Sequence, residues 1–231
     1  VELVDHTLMK LARDIPLFRN TLDTFVRGEP DALLLVEFAG DELDPLLTQL
    51  DRLNDMLGDL GFPDTLIKVT DPMQQRRVWE VRKAGLNIMM SMKGEGKPVS
   101  FIEDCAVPLE HLADYTDRLT EIFHRHGTTG TWYAHASEGC LHVRPILNMK
   151  ETGDVRKMRL IAEEAFAMVR EYKGSHSGEH GDGIVRSEFH RPMFGQQLVE
   201  VFSQIKQTFD PEGLLNPGKI IAPPRMDDRS L

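Results

Sequence analysis

Cysteine is nearly missing. The 231 residues hold two, Cys105 and Cys140, too few for a disulfide scaffold and, beside nine histidines, better matched to a reducing compartment than to secretion. Long apolar runs are missing as well: none exceeds the stretch from Ala32 to Val36, far below the roughly 20 residues that a membrane helix needs. No signal-peptide pattern opens the chain. Cations are in deficit, with 27 Lys and Arg against 37 Asp and Glu for a formal charge of −10, which argues against a duplex-binding surface or recruitment by anionic lipid. Small anionic substrates remain open wherever cations gather locally. No complete Rossmann or Walker pattern is present, so motif alone offers no nucleotide site. The expected location is cytoplasmic.

What is present suffices for a proper core, since 41% of the residues are hydrophobic. A helix-like stretch over residues 3–17 precedes a compact apolar run at 32–38, read as a buried strand. Leu43, Leu46, Leu47, Leu50, Leu53, Leu57 and Leu60 recur at helical spacing up to Gly61. A short strand over 66–69, a helix opened by Asp71-Pro72 and bearing Arg82, a strand over 99–107 and a helix closed by Gly127 follow. Residues 131–135 and 140–144 are strand-like and separated by only 136–139, which predicts a β-hairpin. Helices over 154–173 and from Phe194 to Phe209 flank the glycine-rich stretch 174–183. Strands joined by helices, with one tight hairpin, predict an α+β fold with a mainly antiparallel sheet covered by helices.

The chemistry gathers at the hairpin. Alternation places Thr131, Tyr133 and His135 on one face of the first strand and Cys140, His142 and Arg144 on one face of the second, so two imidazoles converge if those faces coincide. In Gly174-Ser175-His176-Ser177-Gly178-Glu179-His180-Gly181-Asp182-Gly183, glycines let backbone approach a ligand closely, Glu179 offers a hard anionic ligand and His180 a base. Two histidines and a carboxylate are a known catalytic metal arrangement. The plainer alternative stays open, that His135 and His142 are a cross-strand polar pair and the glycine-rich stretch only a loop. Arg82 and Lys97 are candidate carboxylate binders or solvated surface cations. Cys105 and Cys140 are read as small buried thiols, and His6, His111, His124, His126, His176 and His190 as surface or capping residues.

With Arg82, Lys97, the His135 to His142 hairpin, the 174–183 loop and Gly213-Leu214-Leu215-Asn216-Pro217-Gly218-Lys219-Ile220 in view, nearly the whole chain resembles the C-terminal substrate domain of FAD-linked oxidases. That domain belongs to flavoproteins of the vanillyl-alcohol-oxidase type and contains a ferredoxin-like antiparallel arrangement. The chain looks most like the D-lactate and D-2-hydroxyglutarate dehydrogenases. The stretch from His135 to Pro145 resembles the branch in which an iron–sulfur domain follows. The resemblance implies a substrate domain over 1–221, a linker over 222–231 to a further domain, and an FAD-binding domain ahead of Val1.

The same resemblance implies that His135, His142 and Glu179 bind a divalent metal, commonly zinc, and that His180 is the base for the substrate hydroxyl. It implies carboxylate binding by Arg82 and Lys97, and contact of Asn216 and Lys219 with cofactor. Two positions depart from the hydroxyglutarate enzymes: Leu86 stands where some carry a hydroxyl one turn after the substrate Arg, and Arg144 where they carry Asn. An extra guanidinium at Arg144 would suit a dicarboxylate. The implied activity is oxidation of a D-2-hydroxy acid with hydride passing to flavin, for which the chain alone would lack FAD. Relatives that feed a quinone pool sit at a membrane surface, which keeps a place peripheral to the inner face of the membrane open, and the number of associating chains, a homo-oligomer included, stays open too. A non-catalytic binding module with a structural histidine hairpin and a flavin-free metal hydrolase are the competing readings.

Overall fold

A computed structural model describes residues 1–228 and Ser230. The chain is α+β, 52% helical, with antiparallel pairing throughout the ladders whose register is resolved. It divides into two compact units, Val1–Ser91 and Met92–Leu231.

In the first unit, β1 (Glu2–Asp5) pairs with β2 (Ala32–Leu35) from Glu2↔Leu35 to Asp5↔Ala32. The helix expected over 3–17 is therefore a strand, a helix α1 (His6–Asp14) and the start of α2 (Pro16–Phe25). The local chemistry explains both breaks. The Asp5 carboxylate accepts the Leu8 N–H at 2.8 Å and starts α1, while Pro16 is preset for the first turn of α2 but cannot continue α1. β2 is not a buried strand. Leu33 and Leu35 line an apolar pocket with Leu8, Leu22 and Val81, whereas Leu34 on the opposite face is 55% exposed, as period-two alternation requires. α3 (Leu43–Asp59) forms where the leucine spacing places it. Residues 66–69 form no strand, because nothing among the described residues pairs with them in a ladder. The Asp71 carboxylate caps α4 (Pro72–Lys83) by accepting from Met73 and Gln74, and α5 (Gly85–Met90) closes the unit.

The second unit is built on β6 (Cys140–Leu147), which pairs along one edge with β5 (Gly130–His135) and along the other with β3 (Lys97–Pro98) and β4 (Cys105–Ala106). A short 3-10 turn, Ala136–Glu138, closes the hairpin, and Gly139 follows with φ 67°. A Cβ at Gly139 would meet the Val107 carbonyl oxygen at 2.1 Å, so the turn requires glycine. Helices α6 (Leu112–Arg125) and α7 (Thr152–Glu171) bury Leu119, Ile122 and Phe123, and Ile161, Ala165 and Val169. Cutting Leu119 or Ile161 back to Ala would cost about 2–5 kcal/mol. Of the strand expected over 99–107 only Cys105–Ala106 forms: residues 99–104 leave the ladder after β3, and Asp104 takes a left-handed φ of 76°.

After α7 come two short helices, α8 (Gly183–Ser187) and α9 (His190–Phe194), then α10 (Gln196–Phe209). Residues 222–228, part of the expected linker, pack back on this unit: Met226 is buried, its N–H donates to the Glu188 carboxylate, and Asp227 lies 3.5 Å from Arg159. His176 and His190, expected at the surface, are 0% and 3% exposed, because the chain folds both rings in against Phe166 and Phe194.

Candidate metal centre

The 174–183 loop is held to β4 by backbone and side chain together. Ser175 and Ala106 exchange backbone hydrogen bonds at 2.9 Å, and the Gly178 N–H donates to the Asp104 carbonyl at 2.6 Å. A Cβ at Gly178 would sit 2.9 Å from Cys140 Sγ and 3.1 Å from that carbonyl, which is why glycine stands at the closest approach. The fully buried Asp104 carboxylate then accepts the backbone N–H of Glu179 at 3.0 Å and of His180 at 2.8 Å, and the Ser177 hydroxyl at 3.1 Å. Burial pushes this carboxyl up, but the two backbone donors, the nearby His180 and the Ser177 hydroxyl outweigh it and leave it below the ordinary carboxylate value. Arg186 adds a staple, donating to Gly181 O at 2.7 Å and to Glu103 O at 2.6 Å.

Register does the rest. Tyr133 stands opposite His142 and His135 opposite Cys140, so both histidines lie on one face of the hairpin. Their ring centroids are 4.9 Å apart, and His142 stacks on His180 at 5.1 Å. The Nε2 atoms of His135, His142 and His180 lie 3.3, 3.2 and 3.3 Å from one atom, Glu179 Oε1. Charge-assisted N–H···O bonds are shorter, about 2.7–2.9 Å. Ligand atoms around a four-coordinate zinc, with bonds of about 2.0–2.1 Å, stand about 3.3 Å apart. The donor set and its spacing therefore fit a divalent cation. Burial, then the neighbouring His135 and His180, push the His142 imidazole down to about 4, which keeps it neutral at pH 7, as a metal ligand must be.

Glu103 completes the site. Its Oε1 lies 3.3 Å from His180 Nδ1, and its Oε2 pairs with the Arg144 guanidinium, with both partners more than nine-tenths buried. Arg144 also donates to the Tyr133 hydroxyl at 2.9 Å, and the Tyr133 ring packs on His142 at 4.8 Å between centroids. Sequence reasoning passed over Glu103 and Asp104 because it took 99–107 as one strand. The signal was there: two adjacent carboxylates inside the apolar run Phe101-Ile102-Glu103-Asp104-Cys105-Ala106-Val107. Such charges are rarely buried unless they are paired.

Of the residues singled out from sequence, the fold brings together His135, His142, Glu179 and His180, with Arg144 reaching them through Glu103 and Tyr133. Lys97 pairs with Leu147 at the far end of β6 and donates to the Met92 carbonyl. Arg82 lies in the first unit, where its Nε donates to Glu2 at 3.0 Å. Asn216 is exposed, with φ 45°, and Lys219 half-buried, both in the turns after α10. Burial pushes both thiols up to about 12, so Cys105 and Cys140 are poor nucleophiles at neutral pH.

The chain is 35% identical to a D-2-hydroxyglutarate dehydrogenase of Pantoea ananatis over 96% of its own length and 22% of the relative's. It is 32% identical to that of Escherichia coli K12 over 98% of its length and 23% of the relative's. A D-lactate dehydrogenase of Anaerostipes hadrus matches at 27% identity over 83% of the chain and 40% of the relative. The chain thus spans less than a quarter of the length of the hydroxyglutarate enzymes. The family described as FAD linked oxidases, C-terminal domain, matches residues 1–220, and the chain belongs to that family.

Proposed function

We propose that this chain is the metal- and substrate-holding domain of a larger FAD-dependent dehydrogenase that oxidises a D-2-hydroxy acid to the 2-oxo acid. One observation carries the reading: three imidazole Nε2 atoms converge at 3.2–3.3 Å on Glu179 Oε1 within a chain of the FAD-linked oxidase family. D-2-hydroxyglutarate is the favoured substrate, because the relatives at 32–35% identity bear that name and the D-lactate enzyme is more distant. A divalent ion such as zinc, held by His135, His142 and Glu179, would act as a Lewis acid on the α-hydroxyl, and FAD would take the hydride.

The chain's own groups have distinct parts in that reading. His142, neutral at pH 7, and beside it His135 offer ring nitrogens, and Glu179 offsets cationic charge. His180 takes the hydroxyl proton at Nε2, while its Nδ1 lies 3.3 Å from Glu103 Oε1. A carboxylate at that nitrogen favours the tautomer with its proton on Nδ1, and Arg144 holds Glu103. Arg144 is accordingly better suited to orienting the base than to binding substrate. Substrate carboxylates are assigned to Arg82 and Lys97, and cofactor contact to Asn216 and Lys219, by resemblance alone. The FAD-binding domain, and an iron–sulfur domain for onward electron transfer, are proposed for the rest of the protein, with a cytoplasmic location.

The test is anaerobic mixing of the flavin-containing protein with D-2-hydroxyglutarate or D-lactate, followed by flavin absorbance. Bleaching by the hydroxyglutarate that disappears in His180→Ala with FAD still bound is the expected result. Bleaching at the wild-type rate in that variant would remove His180 from the mechanism. Bleaching by neither acid would overturn the substrate class.

A further inference from the structure

Three side chains outside the Glu179 centre form a second convergence that the proposed reaction does not use. His176 Nε2 lies 2.9 Å from Asp182 Oδ1, and His190 Nε2 lies 2.9 Å from Asp182 Oδ2, so each carboxylate oxygen faces one imidazole. The imidazole centroids are 5.7 Å apart, and Phe166, Phe194 and Phe202 rings pack around them at 5.4–6.0 Å. Both histidines are almost wholly buried.

Both contacts are short enough for charge-assisted hydrogen bonds, but neither is aligned as one. Among the described residues neither nitrogen of either ring makes an aligned hydrogen bond, and Asp182 Oδ1 has none. Unaligned polar atoms in an aromatic shell are unfavourable, since such groups are ordinarily satisfied when buried. A single cation can accept lone pairs from all three residues together, and the candidate ligand atoms lie within 4.8 Å of one another. The 2.9 Å contacts are somewhat shorter than the roughly 3.3 Å between ligand atoms of a tetrahedral zinc, so the three side chains would open slightly around an ion. Two imidazoles with one carboxylate suit zinc or another late first-row divalent ion better than magnesium or calcium, which favour all-oxygen sites.

We propose that His176, Asp182 and His190 form a second metal site, buried and structural, for zinc or a chemically similar divalent ion. Its place in the chain gives it a task. His176 and Asp182 flank Glu179 and His180 on one loop, and His190 belongs to α9, so the ion ties both ends of that loop to the helix behind it. The Asp104 carboxylate, just ahead of β4, grips the same loop. The proposal stands on its own donors and does not depend on the reading of the Glu179 centre.

The experiment is metal analysis by mass spectrometry of the purified protein, loaded with Zn2+ and desalted, for the wild type, His142→Ala and His190→Phe. The phenylalanine keeps an aromatic ring in the shell. Two ions per chain in the wild type and one in each variant is the expected result. One ion in the wild type that His190→Phe loses and His142→Ala keeps would uphold this site and sink the metal at the Glu179 centre. One ion that His142→Ala loses, no ion in the wild type, or full wild-type content in His190→Phe would each overturn the proposal. Should His190→Phe not fold, Co2+ titration of the wild type and His142→Ala decides instead. Endpoints of two and one ions are expected, whereas one and none would overturn it.

Discussion

Asp104 holds His180 by the backbone: its carboxylate accepts the His180 N–H at 2.8 Å while the His180 ring points to Glu179 and Glu103. The same carboxylate accepts the Glu179 N–H, so one buried residue sets the positions of a proposed ligand and a proposed base.

Asp104→Asn should therefore loosen both. The isosteric amide keeps one acceptor but turns an NH2 towards N–H donors, and losing hydrogen bonds to a charged group costs about 1.5–3 kcal/mol. Weaker zinc binding by roughly 10–100-fold is expected, as for other groups that orient ligands. There is also a pH signature. Because the folded carboxyl lies below its ordinary value, its stabilisation is present above about pH 3.9 and is lost as pH falls through the lowered value. Urea denaturation should show that acid-side decline in the wild type and less of it in the variant. Equal profiles and unchanged zinc affinity would show that Asp104 positions nothing.

His142 gives a second pH dependence at a higher range. In metal-free protein its folded value is about 4, below that of the unfolded chain at about 6.5, so between those values the unfolded state binds the extra proton. Stability should be complete above pH 6.5 and fall as pH drops towards 4. His142→Asn should flatten that part of the curve. An equally steep decline in the variant would assign the slope to other groups.

The hairpin with its two facing histidines was legible in the sequence because a four-residue connection between alternating runs leaves one simple pairing, and pairing fixes which side chains share a face. Glu179 and His180 were legible through the glycines beside them. Asp104 and Glu103 were not, because a continuous apolar run reads as a strand, and only the loop packed on it explains why the chain turns out of the ladder at Asp104. The burial of His176 and His190 was hidden for a similar reason. No periodic pattern marks them, and their rings meet through the folding of α9 against α7. Local periodicity reports elements, whereas this site is made where a loop crosses a strand.

The thiols supply a test of packing. Burial pushes Cys105 and Cys140 up to about 12, so the native protein at pH 8 should react with iodoacetamide at neither residue, and both should react once urea unfolds it. Peptide mass mapping reads the outcome directly. Rapid native labelling of Cys140 would mean that the 174–183 loop does not stay closed over it.

Glu103 offers a way to separate folding from chemistry. Its pairing with Arg144 is buried at both ends, and Glu103→Gln leaves a buried guanidinium without its counter-charge, a change that costs about 3–5 kcal/mol. The single variant should unfold more readily for that reason alone, which would obscure any effect on His180. Glu103→Gln combined with Arg144→Met removes both charges and should recover most of the lost stability, since apolar replacement of a buried pair is often neutral. The proton acceptor would still lack the carboxylate at its Nδ1. Flavin reduction by substrate should stay slow in the double variant, by roughly 10²-fold if fixing the tautomer is worth the lower part of the general-base range. A double variant that is both stable and fast would reduce Glu103 to a packing partner of Arg144 and leave His180 to act without a carboxylate behind it.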